Sequence, residues 1–316
     1  MGEFELIRRF FQPLSVMASR EQLILGPGDD CAIQRVPADR DLVFSVDTLV
    51  EGAHFPHDYP AFNLGWRSLA VAASDLAAMG ASPVCFTLAL TLPAADERWL
   101  SEVARGLARA SETFRLSLAG GDTTRGPLTL SLQVHGTVPA GGALRRSGAR
   151  VGDRICVTGP LGNAGAALDF LGVTEPSQAQ KAVLASYHFP RPPIELAQAL
   201  IGAASAAIDI SDGLLADLNH ILSASGVGAS IDPGCIPLSK ALVELTGDRA
   251  VELALSAGDD YELCVCINDE ALMSLPEAVR SQLTTIGRVE AGSGLRLEGG
   301  RSLSGASGYD HFGRSV

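Results

Sequence analysis

The chain has 316 residues, 47% of them hydrophobic, enough for one large core or two domains of ~150 residues each. Its formal charge of -12 argues against nucleic acid or an anionic membrane as the main partner, since both are bound through basic surface. Only Lys181 and Lys240 are lysines and neither follows a glycine, which excludes a Gly-Lys-Ser/Thr phosphate loop.

The first eleven residues are short, amphipathic and carry Glu3 and Glu5, which fits neither a signal peptide nor a transit peptide. No apolar run reaches the ~18 residues that would span a bilayer. The six cysteines are scattered, and the expectation is six reduced, interior thiols in a cytoplasmic protein.

A strand is predicted over 41–50, with Leu42, Phe44 and Val46 on one face and Ser45 and Asp47 on the other, so two oxygen-bearing side chains project together. A helix over 63–80 ends at its glycine. It carries Asp75 near its C-terminal end, where the helix dipole disfavours a negative charge, so a cation is expected beside it, either a metal or an arginine. A strand over 86–92 precedes a helix over 96–116 with Leu100, Val103, Leu107, Ala110 and Phe114 on one stripe. The apolar run 116–119 then ends at Gly120-Gly121-Asp122-Thr123-Thr124. Paired glycines there would let the backbone approach a ligand, with hard oxygens alongside, although an ordinary turn has the same composition.

Alternation over 128–134 predicts a half-buried strand, and the aperiodic Gly-, Ala- and Arg-rich stretch 139–153 is read as a linker between domains at 1–138 and 154–316. Beyond it come a strand over 154–158, a turn marked by Gly159, Gly162 and Gly165, and a helix reaching about 171. Residues 172–187 carry no usable signature, and three prolines keep 189–193 extended. A strand over 206–210 leads into a helix from Asp212, and a last strand covers 261–267. Asp209 and Ser211 share a face, while Ser211 or Asp212 could equally cap the helix. Strands alternating with helices give an α/β or α+β fold class.

Four aspartate-bearing segments, with Gly-Asp-Asp at 28–30 and again at 258–260, are hard to explain as surface charge. Carboxylates and hydroxyls suit Mg²⁺, which is held by one or two carboxylates plus phosphates, and phosphoryl transfer requires positioning and charge neutralisation more than a special nucleophile. The chemistry expected is magnesium-dependent phosphoryl transfer from ATP.

The motifs Gly26-Pro27-Gly28-Asp29-Asp30, the run from Asp47 to Phe55, Ala119 to Thr124, Asp209 to Leu214, Gly258 to Leu263 and Gly308 to Phe312 agree in order and spacing with one family. Over essentially its whole length the sequence resembles the thiamine-monophosphate kinase family. The resemblance implies the two-domain fold shared with aminoimidazole ribonucleotide synthetase, with an N-terminal α/β domain that forms a homodimer through its sheet. It implies Mg²⁺ at Asp30, Ser45, Asp47, Asp75, Asp122, Asp209 and Asp212, and ATP at Gly121, Arg146 and Ser211. Thiamine monophosphate would meet His54, Asp260 or Glu262, and Phe312. Arg146 is also a natural phosphate fork in its own right, though solvated arginines are as common in such loops. The alternatives are a different small acceptor on the same fold, or a nucleotide-binding protein without turnover.

Overall fold

The computed structural model describes residues 3–16 and 21–300. It divides into two compact units, one containing the chain up to Leu76 and Ala81–Ala143, the other containing Ala77–Gly80 and the chain from Leu144 onward.

The first unit opens with helical turns, α1 (Glu3–Leu6) running on to Val16, and a small antiparallel pair, β1 (Leu23–Leu25) and β2 (Ile33–Gln34). Its main sheet has the order β3-β6-β4-β5, formed by β3 (Arg40–Val50), β4 (Ser82–Leu92), β5 (Ser117–Arg125) and β6 (Thr129–Pro139). β6 pairs antiparallel with both β3 and β4, whereas β4 and β5 are parallel and so need a crossover, supplied by helix α3 (Glu97–Phe114). Asp96 starts that helix by accepting from the amides of Arg98 and Trp99, and the expected stripe, Leu100 to Phe114, is buried.

Helix α2 (Ala61–Ala78) covers one face of the sheet, since Ser45 of β3 bonds Asp75 of α2 and Leu76 lies against Gly136 of β6. α2 and α3 touch backbone to backbone. A methyl group on Gly65 would run into the Val103 carbonyl oxygen, and one on Gly106 into that of Phe62. Chain reversal at the end of α2 uses Gly80 at φ 69°.

The other face of β3 is bare at its apolar positions: Leu42, Phe44 and Val46 are 41%, 61% and 62% exposed. Gln34 of β2 reaches His135 Nδ1 at 2.6 Å and Cys85 Sγ at 3.8 Å on the neighbouring strands.

The second unit is built on a six-stranded sheet of order β12-β9-β11-β7-β10-β8. Its strands are β7 (Arg154–Val157), β8 (Ala206–Asp209), β9 (Gly228–Ile231), β10 (Leu263–Ile267), β11 (Thr284–Glu290) and β12 (Gly294–Leu297), antiparallel except where β12 meets β9. Helices α4 (Asn163–Ala167), α5 (Gln178–His188), α6 (Ile194–Ala199) and α7 (Leu214–Ser225) belong to it. Its core joins Ile155, Val157, Ile208, Leu214, Leu218, Ile221, Cys264 and Cys266. From Leu144 the glycine-rich stretch is knitted to this unit: Ser225 Oγ accepts from the amides of Gly148 and Ala149 at 3.1 Å, and the Arg145 carbonyl accepts from Ala207 at 2.8 Å.

Several expectations need correction. No turn occurs at Gly120-Gly121, because β5 continues through both glycines to Arg125, paired along β4. β4 begins at Ser82, four residues before the predicted start, since a bulge between Pro83 and Cys85 accommodates the proline. The helix expected from Asp212 begins at Leu214, after Gly213 at φ 116°. Helix α5 occupies the unread region, started by a capping box between Ser177 and Gln180. All six cysteines are free, but Cys31 and Cys235 are exposed in loop or turn positions and are not interior.

Candidate functional site

In the first unit a cleft of about 990 Å³ is walled by the helical turns at Ile7–Gln12, the loop 27–32 and the middle of β5. It brings Asp30 together with Gly121 and Asp122, which lie 91 and 92 positions further along the sequence. Asp29 Oδ1 accepts from the Asp30 amide at 2.8 Å, and Asp122 Oδ1 accepts from the Thr123 amide at 2.9 Å. Both aspartates of the loop and Asp122 are exposed, so water solvates their carboxylates. Gly121 lies against β4 so closely that any Cβ would meet the Leu88 backbone. Among the described residues lining the cleft Arg8 is the basic one, and neither it nor Asp29 was singled out from sequence. The Asp-Asp pair at 29–30 was the available signal for Asp29; nothing local marks Arg8.

A second group lies between β3 and α2. The Ser45 hydroxyl donates to Asp75 Oδ2, with both residues half-buried, and Asp47 follows on the same face of the strand. Among the described residues the partner of Asp75 is this hydroxyl and not an arginine; Arg40 instead bonds Thr137 and Ser82. His54, half-buried just past β3, accepts the Val50 amide at Nδ1 at 3.0 Å, so a neutral ring carries its proton on Nε2.

In the second unit the two remaining motifs are clasped together. Ile210 donates to the Glu262 carbonyl and accepts from Tyr261, and the Asp259 amide donates to Ser211, each at 2.8 Å. Gly258 is required here because a Cβ would run into the Ser211 carbonyl oxygen. Asp259 and Tyr261 both adopt positive φ, 67° and 52°, and the Tyr261 hydroxyl bonds Asp259 Oδ1 at 2.8 Å. Left-handed backbone at two such residues is uncommon and persists only where surrounding contacts enforce it.

Asp209 is buried, while Ser211 and Asp212 are half-buried. The residue that sequence reasoning missed is Asp217, buried in the first turn of α7. Its Oδ2 accepts from the amides of Ser211, Asp212 and Gly213 at 3.0, 3.1 and 3.1 Å. Burial, and next the charge of Asp212, push its carboxyl up to about 6 against the pull of those three amides.

Asp260 sets both carboxylate oxygens on the Gly162 amide, at 3.0 and 2.9 Å, at the start of α4. Protein surrounds it closely although part of its surface meets solvent, and this desolvation holds its carboxyl well above the usual range. Glu262 accepts the Thr158 hydroxyl at 2.5 Å, and burial raises its carboxyl too. Both acids therefore brace the 158–164 turn. Arg146 is exposed on the stretch leading into β7, and Phe312 lies outside the described residues.

Among the described residues no three His, Cys, Asp or Glu side chains converge as a metal cage. The oxygen donors form open groups that enclose no ion by themselves, a set that suits a hard cation taking the rest of its shell from phosphate and water.

Residues 28–138 match the family model described as AIR synthase related protein, N-terminal domain, and residues 150–300 match its C-terminal domain. The chain is 44% identical to thiamine-monophosphate kinase of Salmonella typhimurium over 98% of each chain. It belongs to the thiamine-monophosphate kinase family. A crystal structure of thiamine-monophosphate kinase from Stenotrophomonas maltophilia K279a superposes with a TM-score of 0.87 at 41% identity, covering 95% of this chain and 97% of that one. AaThiL complexed with AMPPCP and TMP superposes with a TM-score of 0.81 at 30% identity, covering 88% and 89%. The two matched domains thus correspond to the two units, and the motifs described above fall inside the matched spans, apart from Gly26 and Pro27 just before the first and the motif at 308–312 beyond the second.

Proposed function

We infer that the chain transfers the γ-phosphoryl group of ATP to the phosphate of thiamine monophosphate, giving thiamine diphosphate and ADP. The observation that carries this is the near full-length identity to thiamine-monophosphate kinases, supported by the relative solved with AMPPCP and TMP together. The acceptor is itself a phosphate with a second pKa of ~6, by analogy with phosphorylated side chains, so it is largely ionised at neutral pH and needs no general base. The obstacle is the meeting of two polyanions.

The residues suit that task. Asp30 and Asp122 in the cleft, Ser45, Asp47 and Asp75 between β3 and α2, and Asp209 and Asp212 in the second unit would hold Mg²⁺, which when bound neutralises charge on the phosphates. Gly121, Arg146 and Ser211 would contact ATP, and Arg8 adds a positive charge on the cleft wall. His54 and Phe312 would contact thiamine monophosphate. For Asp260 and Glu262, whose carboxylates already brace a turn, the contribution is to the shape of the site. Six free cysteines support a reducing, cytoplasmic setting.

Free thiamine carries the same rings but offers an un-ionised hydroxyl and no phosphate to grip. Its kcat/KM with ATP should fall at least about 100-fold below that of thiamine monophosphate. Thiamine diphosphate formation from each acceptor is the assay, and preferential use of free thiamine would overturn the reading.

The bare apolar face of β3 supports a homodimer joined through this sheet, with more than ~1,200 Å² buried in total. Phe44→Asp should convert a dimer at micromolar concentration into monomers by light scattering. A parent chain that is monomeric and fully active under the same conditions would remove the dimer.

A further inference from the structure

A strand, a glycine-bearing loop and a helix N-terminus in succession leave consecutive amides directed at one point, an arrangement suited to binding an anion such as phosphate. Here β8, the loop 210–213 and α7 make that arrangement, but the point is already taken. Oδ2 of Asp217, 2% exposed, receives all three amides at 3.0 to 3.1 Å. The opposite edge of the loop is committed as well, through the backbone bonds of Ile210 and Ser211 to Asp259, Tyr261 and Glu262. Neither edge of the backbone is left for a substrate anion. What the loop offers instead is the side chains of Asp209, Ser211 and Asp212, all oxygen donors.

We propose that Asp217 is a positioning residue: by filling the amide cradle with the chain's own carboxylate, it fixes the 209–213 loop as a surface that meets cation-borne phosphate and denies it to bare phosphate. The loop's part in turnover rests on the kinase reading above, whereas its backbone geometry does not. A residue serving only as a helix cap would contribute stability and leave turnover by the folded enzyme unchanged.

The test begins with the parent chain free of nucleotide and metal. Amide hydrogen exchange of Ser211, Asp212 and Gly213 should be slowed at least about 100-fold relative to exposed loop amides, as for hydrogen-bonded interior groups. Asp217→Ala should restore fast exchange at those three positions and lower kcat at least about tenfold at saturating substrates, below its melting temperature. Asp217→Asn, which keeps one oxygen to accept the amides, should recover slow exchange and kcat to within about threefold of the parent. Should the alanine variant not fold, the parent's exchange and the asparagine variant still decide. Fast exchange at 211–213 in the parent would overturn the proposal. So would an alanine variant that loses melting temperature but keeps the parent's kcat. A parent that makes no thiamine diphosphate but shows slow exchange, lost in the alanine variant, would sink the kinase reading and leave the loop's fixation by Asp217 standing.

Discussion

Asp122→Asn lowers kcat/KM for ATP by at least about 100-fold and moves the melting temperature by no more than about 3 °C. The two halves of that expectation have separate causes. Asp122 is exposed at the cleft and its internal bond is from the next amide, Thr123, to Oδ1, which an asparagine oxygen can also accept. The substitution therefore costs the fold little. What it removes is a full negative charge from a cleft shared with Asp29 and Asp30, and an amide is a far weaker ligand for a hard cation than a carboxylate. Steady-state kinetics over a magnesium titration, with a melting curve, tests both halves. A well-folded variant with near-parental turnover at low magnesium would remove Asp122 from the proposed metal set.

Gly121→Ala is expected to abolish measurable turnover and to destabilise the chain by about 3 kcal/mol, the upper end of the usual cost of overpacking. At this position β4 and β5 are paired with Leu88 opposite Gly121, and a Cβ would strike the Leu88 carbonyl oxygen, backbone that has nowhere to retreat within a sheet. The strands must separate, carrying Asp122 with them. Gly120→Ala is the internal comparison, because nothing lies within 4 Å of a Cβ built there. Thermal melts should show a large loss for the first variant and almost none for the second. Equal melting temperatures would mean that the sheet yields easily at Gly121.

The contrast between those two glycines also shows what a linear reading can reach. Their composition suggests a turn, and only the parallel pairing with β4, brought about by a crossover through α3, makes them strand residues. By contrast, the stripe on α3 and the Ser45/Asp47 alternation were legible because helix and strand periods are local properties. The capping box at Ser177 and Gln180 was equally local and went unread in a region with few other signals. Alternation on β3 separates two faces without saying which is covered; α2 settles on the polar one through Asp75. Asp30 and Asp122 could be recognised as chemistry-bearing, but their meeting in one cleft depends on how β5 and the 27–32 loop are brought together. Asp217 was hidden for a related reason: an aspartate in a first helical turn is ordinary, and its importance lies in three amides that converge on it in space.

The direct backbone contact between α2 and α3 makes sites without any chemistry consequential. Gly65 and Gly106 set how far apart the two helix axes can lie, and Asp75 stands ten residues along α2 from Gly65, about 15 Å at the usual helical rise. A single added methyl at the crossing would tilt α2 like a lever, and the far end is where Asp75 meets Ser45. Variation at these glycines should therefore surface as impaired catalysis together with a lowered melting temperature, at positions that carry no side chain of their own.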